Sequence, residues 1–271
     1  MNTETLVELV KQNLQRFCYE LSSERKIFDA VIKVDRKMFL DENDIIRAVL
    51  SYVEDVNDLG ALHNKLGTKE FTEEALKSYF MAIEKILSSS HQVYVESRGL
   101  AYNDMAINIG KSGQTCSQPS VTCIMMDMLQ LEKGMNVLEI GSGCGYSAAI
   151  CAEIIGEKGK LTTVEVRPEL ARIAEHNLRK HFRDKYERRI EVITANGKKG
   201  YAPNSQYDRI YLTASVVLKK FRKDSLVKQL KPKGILLYPE KVGALFAEKY
   251  ENGNCIDKKA HEGVLFVPLV D

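Results

Sequence analysis

The chain has 271 residues, of which 44% are apolar and 28% are charged, enough apolar material for a sizeable core. Its 39 basic and 37 acidic residues leave a formal charge of +2, so net charge gives no reason to expect nucleic acid or an anionic membrane as a partner. The N-terminus lacks the pattern of a signal peptide, and no apolar run approaches the ~20 residues of a membrane helix. We therefore expect a soluble, cytoplasmic protein.

The six cysteines form no CxxC pair, and the five histidines do not cluster with them. Zinc sites usually combine such residues at short spacings. We therefore expect no metal site, and we expect reduced thiols because a chain of this length does not need disulfides to fold.

Apolar residues recur at helical spacing through the first 40 residues, which we assign to N-terminal helices. Residues 41–94 carry two further stripes of this kind and are predicted to form a helical insertion. One face of such a hairpin must be buried, either at the mouth of an active site or in an oligomer interface. A purely structural elaboration is the alternative.

Residues 95–271 are assigned to the core domain, and from residue 135 onward the pattern changes to short apolar runs that alternate with amphipathic segments. This alternation predicts a doubly wound, mainly parallel α/β sheet. Two later apolar runs, Ala244–Tyr250 and Val264–Leu269, flank the turn sequence Asn252-Gly253 and are predicted to pair antiparallel. The five runs predicted to be parallel strands are Val137–Ile140, Leu161–Val164, Ile190–Thr194, Ile210–Thr213 and Ile235–Tyr238.

A glycine-rich loop follows the first of these strands and opens a helix. Alternating glycines permit a tight turn and close approach of a ligand to the backbone. The pattern is ExGxGxG rather than the GxGxxG of dinucleotide sites, and a carboxylate at the end of the strand suits a ligand with an ammonium group and a sulfonium. The predicted cofactor-binding residues here are Glu139, Gly141, Ser142, Gly143 and Gly145.

Two further strand ends complete the predicted cofactor site. Glu165 ends the next strand, where a carboxylate can accept hydrogen bonds from both hydroxyls of a ribose. Asn196 and Gly197 follow the third strand, where a side-chain acceptor would meet an adenine amino group. The alternatives are a solvated carboxylate at Glu165 and a plain Asn-Gly turn at residue 196.

Several segments together resemble the protein-L-isoaspartate (D-aspartate) O-methyltransferases. The most specific is the sequence IGKSGQTCSQP at residues 109–119, preceded by AYND at residues 101–104. VLEIGSGCGY at residues 137–146 and FVPL at residues 266–269 are also similar to the family. The resemblance covers roughly residues 5–40 and 95–271, with departures at Asn108, Asn196 and residues 213–216.

This resemblance implies a seven-stranded Rossmann-like sheet with an antiparallel C-terminal hairpin, and S-adenosylmethionine as the cofactor. It also implies methyl transfer to the free α-carboxyl of L-isoaspartyl residues in damaged proteins, which initiates their repair. It assigns Ser117 to the substrate carboxylate, although Ser117 also suits a helix cap. The residues that it places near the substrate are Thr115, Gln118, Val264, Phe266 and Val267.

Other functions remain open at this point. A methyltransferase of the same fold could act on a biosynthetic peptide or a small-molecule carboxylate. A non-enzymatic S-adenosylmethionine-binding scaffold is another possibility, against which the intact glycine loop and Ser117 argue. An RNA methyltransferase is disfavoured because the sequence has no NPPY-type motif and no basic patch with interleaved aromatic residues.

Overall fold

The computed structural model describes residues 2–41, 44–45, 100–110 and 112–270. The predicted insertion at 41–94 thus lies almost wholly outside the described residues, and its helical hairpin stays a prediction. The N-terminal helices are confirmed as α1 (Thr3–Arg16) and α2 (Glu24–Lys33), followed by a 3-10 turn at Arg36–Phe39. Both helices bury one apolar face against the α/β core.

Seven strands of the described chain form one sheet in the order β5-β4-β3-β6-β7-β8-β9. The first five in this order are parallel, and β8 and β9 are antiparallel. A separate antiparallel hairpin joins β1 (Ile107–Ile109) to β2 (Gln114–Cys116). The strands of the main sheet are β3 (Asn136–Ile140), β4 (Lys160–Glu165), β5 (Ile190–Thr194), β6 (Tyr207–Leu212), β7 (Leu230–Glu240), β8 (Ala244–Glu251) and β9 (Asn254–Glu262).

Helices cover both faces of the sheet, and successive strand residues alternate between the two cores, as the period of a strand requires. Val137 belongs to the core beneath α1 and α2, whereas Leu138 belongs to the core on the other face. None of the helices among the described residues is long and apolar enough to cross a membrane. The helices after β2 are α3 (Pro119–Met128), α4 (Tyr146–Ile155), α5 (Pro168–Phe182) and α6 (Asp224–Val227).

The strand order reverses at β3, which lies between β4 and β6: strands are added on one side of β3 up to β5 and on its other side from β6 onward. Ile140 at the end of β3 pairs with Val164 of β4 and with Leu212 of β6. In open α/β sheets, ligands bind beyond the carboxyl ends of strands at such a switch point. The fold therefore predicts a binding site above Ile140.

The predicted partner of β8 is wrong in one respect. A C-terminal hairpin turns at Asn252-Gly253 as expected, but β8 pairs with β9 and not with Val264–Leu269. Almost every residue of β9 is exposed, so this edge strand has no apolar alternation to reveal it. The apolar run at 264–269 instead lies beside Ser215, with which Pro268 forms a parallel bridge.

The segment before β7 also differs from expectation. The helix predicted to end near Leu230 is a single turn, α6, that ends at Val227. Pro232, which was interpreted as a helix stop, lies inside β7. Because its exposed position precedes the regular pairing of Ile235 with Arg209, the missing N–H costs the sheet little.

Candidate active site

A cleft of 340 Å³ opens at the carboxyl ends of β3 and β4, where the fold predicts a site. Four segments contribute most of its lining: the glycine loop at residues 141–144, residues 114–118, Glu165 with the residues after it, and the C-terminal residues 263–270. The first and third of these were predicted to hold the cofactor and the second and fourth to hold the substrate. The structure thus brings both predicted halves to one cleft.

The three glycines of the loop are required for different structural reasons. All three have positive φ: Gly141 (+101°), Gly143 (+54°) and Gly145 (+88°). A Cβ on Gly141 would lie 2.2 Å from Oγ1 of Thr213, whose hydroxyl donates a 2.6 Å hydrogen bond to the Gly141 carbonyl. Thr213, one of the departures from the family pattern, thus holds the loop against the end of β6.

Gly145 does not line the cleft, which corrects its predicted role in cofactor binding. A Cβ there would lie 3.2 Å from the carbonyl oxygen of Ala174 on α5. Gly145 also immediately precedes α4. Its function is therefore to let the loop pack closely against α5.

Glu139 is fully buried beneath the loop and does not line the cleft, and its predicted contact with an ammonium group stays a prediction. One carboxylate oxygen accepts from the Thr163 hydroxyl at 2.6 Å and the other from the Tyr211 hydroxyl at 2.8 Å. The Thr163 hydroxyl also lies 2.7 Å from Oγ of Ser142 in the loop. Burial raises the pKa of Glu139 to about 7, and these hydrogen bonds oppose the shift. Glu139 therefore supports the loop from below.

Glu165 lies in the cleft wall, where it was predicted, and is only 6% exposed. Its Oε2 accepts from the Gly143 amide at 3.1 Å, and its Oε1 accepts from the Arg167 amide at 3.0 Å. A carboxylate has about four acceptor sites, so both oxygens keep capacity for two hydroxyl donors. This geometry suits the predicted ribose contact.

Asn196 and Gly197 have different positions relative to the cleft. Gly197 is buried and lines the cleft, and a Cβ there would lie 2.6 Å from Cγ2 of Ile140. Asn196 is exposed, does not line the cleft, and accepts a 3.0 Å hydrogen bond from the Lys198 amide. That side chain therefore caps the turn that follows β5, and its predicted contact with adenine stays a prediction.

Ser117 lines the same cleft as the glycine loop. The alternative role as a helix cap is wrong, since α3 begins at Pro119 and the Ser120 amide donates to Oδ1 of Asp104 at 2.7 Å. Oδ2 of the same aspartate accepts from Gln118 at 3.2 Å. The Ser117 hydroxyl makes no hydrogen bond to any residue that the structure describes, and it is therefore available to a ligand.

Sequence reasoning missed the residue that fixes this segment. The Arg36 side chain is fully buried and its two terminal nitrogens reach five backbone carbonyls. The distances to Ser117 and Cys116 are 3.1 and 3.4 Å, and the remaining acceptors are Ala101, Asn103 and Met105. The only sequence indication was that the resemblance extends over residues 34–39, which does not reveal a contact 81 residues away.

The remaining predicted substrate residues line the same cleft, namely Thr115, Gln118, Val264, Phe266 and Val267. Ser215, another departure from the family pattern, fixes the C-terminal wall: its amide donates to the Val267 carbonyl at 2.7 Å. Two cysteines, Cys116 and Cys144, also line the cleft. A hydrogen bond from Cys144 and the nearby Arg36 guanidinium outweigh burial and lower the pKa of the Cys116 thiol to about 6.

Comparison with known proteins agrees with this geometry. A family model described as protein-L-isoaspartate(D-aspartate) O-methyltransferase matches residues 64–271, a range that begins inside the segment interpreted as an insertion. The chain is 40% identical over 200 residues to protein-L-isoaspartate O-methyltransferase 2 of Archaeoglobus fulgidus, covering 71% of this chain and 85% of that protein. It is 34% identical over 238 residues to the protein-L-isoaspartate O-methyltransferase of Thermococcus sibiricus, covering 85% and 97%.

A solved structure from Plasmodium falciparum, assigned as a protein-L-isoaspartate O-methyltransferase and bound to S-adenosyl-L-homocysteine, has a TM-score of 0.65 to this chain. The match covers 100% of this chain and 99% of that one at 17% identity, so it shows the likeness of the fold. The family model and the two archaeal relatives show the family in addition to the fold. The chain belongs to the protein-L-isoaspartate(D-aspartate) O-methyltransferase family.

Proposed function

We propose that this chain transfers a methyl group from S-adenosylmethionine to the free α-carboxyl of L-isoaspartyl residues in damaged proteins and peptides, and that the 340 Å³ cleft is the place of transfer. The observation that carries the proposal is the position of Ser117. In a chain of this family, Ser117 lines the same cleft as the glycine loop, and its hydroxyl has no hydrogen-bond partner among the described residues.

The cleft residues fit the methyl donor. At Gly141 and Gly197, which both line the cleft, an added Cβ would lie no more than 2.6 Å from a neighbouring side chain. At these two positions the wall of the cleft is therefore formed by backbone atoms. Glu165 holds the Gly143 amide while keeping acceptor capacity for ribose hydroxyls. We therefore assign Gly141, Ser142, Gly143, Glu165 and Gly197 to the donor. When bound, the donor supplies an electrophilic methyl group on a positively charged sulfur.

The acceptor side needs no catalytic base. A carboxyl group is already ionised at neutral pH, so the chain has only to orient it and to exclude water. The Ser117 hydroxyl donates to one carboxylate oxygen and leaves the other free to attack the methyl group. The apolar side chains of Val264, Phe266 and Val267 form the opposing wall and keep the reacting oxygen from bulk water.

A paired peptide assay tests the function. Labelled S-adenosylmethionine is incubated with an isoaspartyl peptide and with the aspartyl peptide of the same sequence, and base-labile methyl ester is counted. We expect transfer to the isoaspartyl peptide alone. Equal labelling of both peptides would favour a carboxyl methyltransferase of other specificity, and tight donor binding without any turnover would favour the scaffold.

We also propose that residues 1–40, 41–94 and 95–271 are respectively the N-terminal helices, an added helical segment and the methyltransferase core. The support for the first and last is that α1 and α2 pack against the core helices α3 and α4. The middle segment is a candidate for contact with substrate or with a second copy of the chain. Deleting it and measuring peptide turnover and oligomeric state tests both roles.

A further inference from the structure

A second concavity of 820 Å³ adjoins the catalytic cleft. Its wall is strongly basic: among the described residues that line it, six are lysine or arginine and one, Asp224, is acidic. The whole chain carries a net charge of only +2, so this groove concentrates positive charge. The basic residues are Lys198, Lys199, Lys220, Arg222, Lys228 and Lys241.

The groove and the catalytic cleft share a wall. Pro268 and Leu269 line both concavities. The Leu269 amide donates to the Ser215 carbonyl at 2.9 Å, and the Ser215 amide donates to Val267 at 2.7 Å. Because these bonds fix the C-terminal segment along residue 215, a polypeptide that leaves the cleft along this segment enters the groove directly.

Three of the six basic side chains in the groove are not neutralised by the described part of the chain. Lys220, Arg222 and Lys228 are exposed and form no ion pair with any described residue. Lys223 is a useful contrast, because it turns away from the groove to Glu248, whose Oε2 it reaches at 2.5 Å. Exposed charges without partners leave a positive potential that attracts anionic groups.

The apolar part of the groove favours a polypeptide over a nucleic acid. Val217 is 45% exposed and offers an aliphatic surface. Among the described residues of the lining, the one aromatic ring is that of Phe221, which packs against Tyr238 with ring centroids 5.1 Å apart. Single-stranded nucleic acids are usually bound by aromatic rings on which bases stack, and this ring is already used within the core.

We propose that this groove binds acidic side chains of the substrate polypeptide on one side of the isoaspartyl residue, so that acidic damaged segments are preferred substrates. The proposal rests on the proposed function, whose site it extends. An extended chain advances about 3.3–3.6 Å per residue, so acidic residues several positions from the isoaspartate reach the lysines. Their contribution is electrostatic and is therefore sensitive to salt.

The test uses one isoaspartyl peptide in three versions, with acidic, neutral or basic residues two to six positions from the isoaspartate, placed in turn on each side. We expect kcat/KM for the acidic version on one side to exceed that of the basic version by about tenfold at low salt, as two or three exposed ion pairs give. We expect this preference to fall at 0.5 M salt and to be lost in the double variant Lys220→Glu with Lys228→Glu.

A matched double variant, Lys158→Glu with Lys180→Glu, makes the same charge change at exposed lysines that line neither concavity and should keep the preference. If the neutral peptide is methylated but flanking charge has no effect in any enzyme, the groove proposal is overturned while the proposed function stands. If no isoaspartyl peptide is methylated, the proposed function fails first. A single-stranded RNA that competes with the neutral peptide, with no preference among the peptides, would also overturn the proposal.

Discussion

The two walls of the catalytic cleft are built on different principles. On the donor wall, the polar side chains of the glycine loop and its supports are paired within the protein: Glu139 with Thr163 and Tyr211, and Glu165 with two backbone amides. On the acceptor wall, Ser117 is unpaired among the described residues, and the buried Arg36 holds its backbone from behind. The donor wall thus recognises its ligand mainly by shape and backbone, whereas the acceptor wall presents one prepositioned hydroxyl.

The largest effect is expected from Arg36→Met, which removes the support of the acceptor wall. It leaves five carbonyls without their donor, and each buried acceptor that stays unsatisfied costs about 1–3 kcal/mol. Urea unfolding should show this loss, and peptide turnover should fall more than donor affinity. Lys37→Met, at the exposed neighbour, is the control. Equal loss of donor affinity and turnover would contradict the separation of the two walls.

Gly141→Ala tests the donor wall. A Cβ there meets Thr213 Oγ1 at 2.2 Å in a left-handed backbone, and strain plus overpacking together cost about 2–5 kcal/mol. Calorimetry should show weaker binding of S-adenosylhomocysteine. Gly134→Ala, where φ is +85° and no atom lies within 4 Å of the Cβ, separates backbone strain from collision. Unchanged affinity in a folded Gly141→Ala protein would sink the assignment of this loop.

Glu139→Gln tests the buried support of the donor wall through pH. The folded pKa of about 7 lies above the ordinary 4.5, so the contribution of Glu139 to stability is full below pH 4.5 and is lost as pH rises through 7. The wild type should therefore lose about 3 kcal/mol relative to the variant over this window. Urea unfolding of both proteins at pH 5 and pH 8 measures the change. A difference between them that is independent of pH would contradict the burial of this carboxylate.

Ser117→Ala removes the hydroxyl of the acceptor wall. A lost hydrogen bond to a charged group costs roughly 1.5–3 kcal/mol, or about one to two decades in turnover, while donor affinity should stay nearly the same. Ser120→Ala is a matched control, because that hydroxyl is buried without a partner and lies outside the cleft. Turnover within twofold of the wild type in Ser117→Ala would remove the serine from the mechanism.

The smallest effect is expected from Asn196→Asp. The Asn196 side chain caps the Lys198 amide outside the cleft, and an aspartate oxygen can accept the same bond. Donor affinity should therefore change by no more than about twofold, or ~0.4 kcal/mol. Titration with S-adenosylhomocysteine checks this. A several-fold gain in affinity would support the adenine contact that the sequence predicted.

Local sequence patterns predicted the donor wall better than the acceptor wall. The glycine loop, the strand before it and Glu165 lie within a stretch of 30 residues, so one strand-loop-helix unit and its neighbour define the site. The pattern could not show that Glu139 points beneath the loop rather than into the cleft, because a carboxylate at a strand end is compatible with both directions.

The acceptor wall depends on contacts between distant parts of the chain. Arg36 reaches Ser117 across 81 residues, and the Ser215 amide reaches Val267 across 52. No periodicity or spacing reports such contacts. The family resemblance located Ser117 correctly in the cleft, but the arginine and the aspartate that hold its segment became visible only when the chain was folded.

Strand β9 has a consequence for the behaviour of the protein at high concentration. It forms the outer edge of the sheet, and an exposed edge is a template on which another chain can add a strand. Here the edge carries Asp257, Lys258, Lys259 and Glu262, all exposed, within nine residues. To pair edge to edge, the β9 strand of a second copy would have to place the same charged residues beside these, which opposes such pairing. The charged residues of β9 thus protect this edge of the sheet against pairing. Their polarity is also the reason why the sequence pattern did not reveal the strand.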